Sequence, residues 1–236
     1  LKISFKPNQW FVVAWLIAPV ISFMAMGIAL LFADVSYSSE MAGMFKRFEE
    51  LMSPEEIQQM RSLAESSPVH PIWLALVQGL IAGPTINAVA GFGEELGWRG
   101  FLLKQFARMH FLKASLIIGF IWGIWHAPLI LMGHNYPEHP VIGVGMMTVW
   151  CIFLTPMFLY ITLKAQSVIA AAILHGTLNA TSGIAIMVID GGNDLLTGMS
   201  GLAGMIALLI ATAVLFIFDL NVSREKVFLK PLTDYS

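Results

Sequence analysis

Trp10 to Ala33 is a run of 24 residues without one Asp, Glu, Lys or Arg. At a rise of about 1.5 Å per residue, roughly 20 such residues cross the hydrocarbon core of a bilayer. Backbone polar groups in lipid must bond to one another, so a stretch like this has one stable state, a membrane helix. Further apolar runs follow: one from Pro68–Pro71 through Glu94 to about Arg108, then 114–132, 140–163, 166–189 and 195–218. With 57% hydrophobic and 12% charged residues the chain lies far from the roughly 45–50% and about 25% of soluble domains. Mean hydropathy is +0.76. The fold class expected is all-α: a polytopic transmembrane bundle of six to eight helices, one integral-membrane domain over residues 1–236, with its polar motifs within about 68–189. The first run exceeds a signal-peptide core and lacks a clear small-x-small cleavage site, so it reads as a retained anchor.

Residues 34–67 form the one sizeable polar stretch. Met41, Met44, Phe45, Phe48, Leu51 and Met52 recur there at helical spacing between Lys46, Arg47, Glu49 and Glu50. That pattern suits an amphipathic helix in the membrane interface. Ser53-Pro54-Glu55-Glu56 then supplies an N-cap, a proline at the first helical position and acids in the first turn. The whole stretch reads as an extramembrane connector, with a gating lid as the alternative. His134 and His139 read as surface loop residues, Asp190-Gly-Gly-Asn-Asp194 as a flexible turn, and Trp10 and Trp73 as interfacial anchors. The single cysteine, Cys151, excludes an intrachain disulfide framework and a Cys-rich zinc site. A net charge of -2 gives no footing for nucleic acid.

Basic residues set the orientation. Lys2, Lys6, Lys104, Arg108, Lys113, Lys164, Arg224, Lys226 and Lys230 fall on one side, while connections 134–139 and 190–194 carry no Lys or Arg. Six crossings with both termini cytosolic satisfy this bias. Counting from the basic anchors, Glu94 lies 14 residues from Arg108, His126 13 from Lys113 and His175 11 from Lys164. In regular helices those are depths of roughly 21, 20 and 17 Å. Three helices thus carry polar groups at one level of the membrane.

These groups are the candidate site. Ionisable side chains in membrane helices are costly and mark function by default. Glu94 and Glu95 are about 100° apart on a helix and cannot share a face. Arg99, four residues beyond Glu95, is placed to hold a carboxylate. His175 and Asn179 share one face, and His126 sits deep in an apolar run. A carboxylate with an imidazole can polarise water, while a second imidazole and an amide can stabilise an oxyanion. Gly119-x-x-x-Gly123 permits the helix carrying His126 to approach a neighbour closely.

Glu94-Glu95-x-x-x-Arg99, Trp122-x-x-x-His126 and His175-x-x-x-Asn179 resemble the three ordered motifs of the CAAX-protease and bacteriocin-processing (Abi) family, which includes the type II CAAX prenyl endopeptidases. Trp122 stands where that family's second motif usually begins with Phe. The resemblance implies an intramembrane endopeptidase acting on a peptide or lipidated peptide in contact with membrane lipid. By carry-over Glu94 with His126 activates water and His175 with Asn179 forms the oxyanion hole; helix spacing assigns Glu95 with Arg99 to support, with an exchange of roles between the two glutamates as the alternative. Glu94, His126 and His175 also make up a His2Glu set of the kind that binds zinc. The absence of an HExxH helix and the poor ligand character of Asn179 favour metal-independent glutamate catalysis with no cofactor. The alternative from another class is a non-proteolytic binding, transport or immunity protein whose buried Glu and His hold a ligand or relay protons. Nothing in the pattern sets an oligomeric state.

Overall fold

In a computed structural model of the chain, residues 2–49 and 52–232 are described. Glu50 and Leu51, which belong to the apolar pattern of the polar stretch, lie outside the described residues, as does the side chain of Arg47. Helix α1 spans Gln9–Ala29 and opens on Asn8, whose side chain accepts from the Trp10 amide. Two short helices, α2 (Ala42–Phe48) and α3 (Pro54–Ser66), precede the long α4, Pro71–Gln105. Helices α5 (Phe111–Trp125) and α6 (Ala127–Leu131) share one apolar run. Then come α7 (Pro140–Ala165), α8 (Val168–Thr181, prolonged by a 3-10 turn over Ser182–Ile186) and α9 (Leu202–Asn221). Five helices among the described residues are long and apolar enough to cross a membrane, with α5 a shorter apolar one. The protein is a helical membrane bundle.

The core lies on α7 and α8. Helix α8 packs against α4 and α1, α7 against α5, and α1 against α9. Glycines set two close helix–helix seams. A Cβ at Gly83 would lie 2.6 Å from the Thr177 Cα, and one at Gly119 would lie 2.7 Å from the Ile152 Cα. Gly123 is equally tight against Thr148, so the expected close approach of the Gly119–Gly123 face is realised, with α7 as its partner.

Several expectations are corrected. The run 114–132 is not one helix. It breaks at His126, because Pro128 has no N–H to bond back into α5 and instead begins α6. Helix α4 ends at Gln105 rather than near Arg108 and contains two π-helical stretches, Gly83–Asn87 and Leu96–Leu102. The first answers the kink anticipated at Pro84. Helix α9 begins at Leu202, not near Leu195. Trp10 is buried edge-on against Tyr160 and Phe218, at 5.2 and 6.0 Å, and does not face an interface.

The outer connections are more ordered than their composition suggests. Ile189–Gly191 forms strand β2, which pairs antiparallel with β1, Val35–Tyr37. Asp194 is 1% exposed and accepts from the Glu138 and His139 amides at 2.8 and 3.2 Å, and its Oδ1 lies 2.6 Å from His139 Nδ1. The turn at 190–194 is therefore a clamp at the start of α7, a long-range role that local spacing does not reveal. Nearby, burial pushes the Tyr136 phenol up while its hydroxyl donates to the Ser200 carbonyl.

Helices α2 and α3 bury Met41, Phe45 and Ile57 against Ile184, Met187 and Val188, which fixes the polar stretch over the outer end of α8. The predicted cap is present as a capping box: the Ser53 amide donates to Glu56, and the Glu56 amide to Ser53 Oγ. The bond from the Ser53 backbone holds the Glu56 carboxyl below its usual range. A depressed carboxyl stabilises the helix above its unfolded titration range, and that contribution fades as pH falls through the folded one. Ser53→Ala should destabilise α3 by about 1 kcal/mol, read as faster amide exchange confined to residues 55–57.

Candidate active site

Glu94, Glu95 and Arg99 are brought to the bundle interior by α4, whose π-helical stretch over Leu96–Leu102 begins directly after the glutamates. Single π turns in helices often mark functional positions. Arg99 is fully buried, its Nη1 3.1 Å from Glu95 Oε1. Its guanidinium lies between two aromatic faces, 4.3 Å from the Trp122 ring and 4.2 Å from that of Phe158. Such contacts are strongest where water is excluded. Glu95 Oε2 and Arg99 Nε and Nη2 are buried and have no hydrogen-bond partner among the described residues.

The same Glu95 oxygen reaches a second helix: His175 Nδ1 lies 2.8 Å from Oε1. The sequence reading paired Glu95 with Arg99 alone, and the structure adds His175 to that pair. The seam between α4 and α8 makes this possible. A Cβ at Gly91 would meet the His175 ring at 3.0 Å, so any side chain there would push the imidazole away from α4 by a few tenths of an ångström. A carboxylate on Nδ1 orients the ring and leaves Nε2 pointing elsewhere.

Glu94 is partly buried and turns away from Glu95, as a 100° offset requires. Its Oε2 accepts from the Trp122 indole Nε1 at 3.2 Å. His126 closes the last turn of α5, with Nδ1 2.8 Å from the Trp122 carbonyl oxygen. That oxygen only accepts, so His126 carries its proton on Nδ1 and, when neutral, has a lone pair on Nε2. Among the described residues no hydrogen bond joins Glu94 to His126 directly; Trp122 joins them. The His175 ring lies 5.9 Å from the Trp122 ring, and His126 lies 5.7 Å from it. Asn179 is one turn beyond His175, exposed, and its side-chain amide has no hydrogen bond among the described residues.

Two participants carried no signal in the sequence. Phe158 is one aromatic in a uniformly apolar helix, and nothing marks it as a lid over Arg99. Cys151, read as packing, places Sγ 4.0 Å from His126 Nδ1. As for a metal, the donors of Glu94, His126 and His175 are not gathered into a set. Among the described residues the group of three whose donor atoms lie within 4.8 Å of one another is Glu138, His139 and Asp194, in the outer connections.

Fold and site together define a class: an integral-membrane helical bundle with a Glu-Glu-Arg-His-His cluster, buried at Glu95, Arg99 and His175, assembled from three helices. Residues 68–181, which carry all three motifs, match the family described as type II CAAX prenyl endopeptidase Rce1-like. The chain is also 33% identical over 93 residues to CAAX prenyl protease 2 of Methanococcus maripaludis. That stretch is 36% of this chain and 34% of the relative, so the similarity spans about a third of each.

Proposed function

We propose that the protein is an intramembrane endopeptidase that hydrolyses a peptide bond in a membrane-associated, prenylated substrate. One observation carries this: Glu94, Arg99, His126 and His175, from three helices, all contact Trp122. The family of residues 68–181 and the name of the archaeal relative point the same way.

In this reading a water sits between Glu94 and the bare Nε2 of His126. Glu94 takes a proton from it as the oxygen attacks the substrate carbonyl. The oxyanion accepts from the Asn179 amide and, when His175 carries both protons, from its Nε2–H, the imidazolium being balanced by Glu95. As the C–N bond breaks, the proton held by Glu94 passes to the departing nitrogen. Arg99 holds Glu95 in place. Both termini lie on the cytosolic side, the side from which peptide enters.

Metal independence belongs to the same proposal. Its support is that the donors of Glu94, His126 and His175 are not drawn together among the described residues. No step is routed through zinc. The test is cleavage of a prenylated peptide by purified protein in detergent. Glu94→Gln should lower kcat by at least about 10²-fold with an unchanged melting profile, and chelation should leave the wild type active. Ligand binding or proton uptake without cleavage would overturn the proteolytic reading. A stoichiometric zinc requirement would overturn only the metal-free one.

A further inference from the structure

Trp122 is more than an aromatic filler between helices. It is 2% exposed and meets the site in three ways at once. Its indole N–H reaches Glu94 Oε2 at 3.2 Å, its backbone carbonyl oxygen lies 2.8 Å from His126 Nδ1, and its ring face stands 4.3 Å from the Arg99 guanidinium. These contacts differ in kind and do not substitute for one another. Any residue at this position supplies the carbonyl, and any aromatic supplies the face. Only tryptophan among the apolar aromatics supplies a donor, since phenylalanine has none and the tryptophan indole donates without accepting.

We propose that Trp122 is a positioning residue for hydrolysis, its Nε1–H holding the Glu94 carboxylate toward the nucleophilic water while its carbonyl fixes the His126 tautomer. This deepens the proteolytic reading and rests on it. Glu94 has two oxygens. With Oε2 tied to Trp122, Oε1 is the one left for water, and the carboxylate loses the rotation that would take it out of line with His126 Nε2. A hydrogen bond to a charged acceptor is among the stronger ones, and burial strengthens it. A phenylalanine at this position would keep an aromatic face for Arg99 and leave Glu94 to rotate.

The test separates the bond from the packing. Trp122→Phe keeps an aromatic face and the backbone carbonyl. Replacement of Trp122 by 3-benzothienylalanine keeps the bicyclic shape as well and removes only the N–H. Both should lower kcat by about tenfold with KM near wild type; the isostere should also keep the melting temperature, which Trp122→Phe lowers by leaving a cavity. A structural role alone would move melting temperature and spare kcat in the isostere. Independently of activity, the Trp122 indole N–H resonance in isotope-labelled protein should shift in Glu94→Gln and stay in place in Glu138→Gln. Wild-type kcat in the isostere overturns the positioning role. A resonance indifferent to Glu94→Gln overturns the contact itself. If the wild type cleaves no peptide yet the resonance responds, the contact stands, and the proteolytic reading falls together with the positioning role built on it.

Discussion

Arg99→Met should lower the stability of the bundle by about 3–5 kcal/mol and abolish hydrolysis. The reason is the company Arg99 keeps. Glu95 is wholly buried, and its Oε1 is held by Arg99 at 3.1 Å and His175 at 2.8 Å. Removing the guanidinium leaves a carboxylate in a dry interior with one imidazole to answer it, and breaking one side of a buried pair costs about this much. For a domain whose total stability is about 5–15 kcal/mol, the effect is large. Methionine fills most of the space between the Trp122 and Phe158 rings, so the loss reports charge rather than a cavity.

The companion variant decides the interpretation. Arg99→Met combined with Glu95→Leu removes both charges, and replacing a buried pair by apolar groups is often neutral or stabilising. Most of the lost stability should return, short of the cost of leaving His175 Nδ1 without its acceptor. Hydrolysis should not return, because nothing then orients His175. Thermal melts of the single and double variants in one detergent, read beside cleavage rates, make the comparison. If the single variant melts with the wild type, the Arg99–Glu95 pair does not support the fold and the charge argument fails. If the double variant cleaves peptide, the Glu95–His175 pair has no part in the reaction.

How far these residues announce themselves follows from which physical quantity each depends on. Depth was readable, because counting residues from basic anchors needs only the helical rise, and Glu94, His126 and His175 do meet around Trp122. Azimuth was not. Whether Glu94 or Glu95 meets His175 turns on 100° of rotation, and the two π-helical stretches of α4 shift the rotation by amounts that a 3.6-residue period does not carry. The break at His126 had a visible cause in Pro128, but the unbroken apolarity from 114 to 132 outweighed it. The clamp from Asp194 to His139 joins residues 55 apart, and composition makes both segments look like ordinary loop. Phe158 was beyond reach for another reason: in a helix apolar on every side, periodicity names no inward face.

Gly176→Leu should cost the protein its active site and most of its stability, and even Gly176→Ala should be costly. Gly176 lies against the first π-helical stretch of α4, where a methyl group would be driven into the Gly83 carbonyl oxygen and the Ala88 nitrogen. Those are backbone atoms, so no rotamer change can make room and the two helices must separate. Overpacking of this kind costs about 1–3 kcal/mol for a small increment and more for a large one. Separation acts directly on the site, because His175 is the preceding residue and its 2.8 Å bond to Glu95 spans the same seam. Gly176→Ala should therefore reduce kcat at least about tenfold with a lower melting temperature, and Gly176→Leu should leave no folded, active protein. Gly145→Ala is the control, since a Cβ there meets nothing within 4 Å and the site is not nearby along α7. It should melt at or slightly above wild type, as replacing a helical glycine commonly does. Full activity in Gly176→Ala would mean that α4 and α8 can part without disturbing Glu95 and His175. The seam would then be packing alone, and the close approach of these two helices would have no part in building the site.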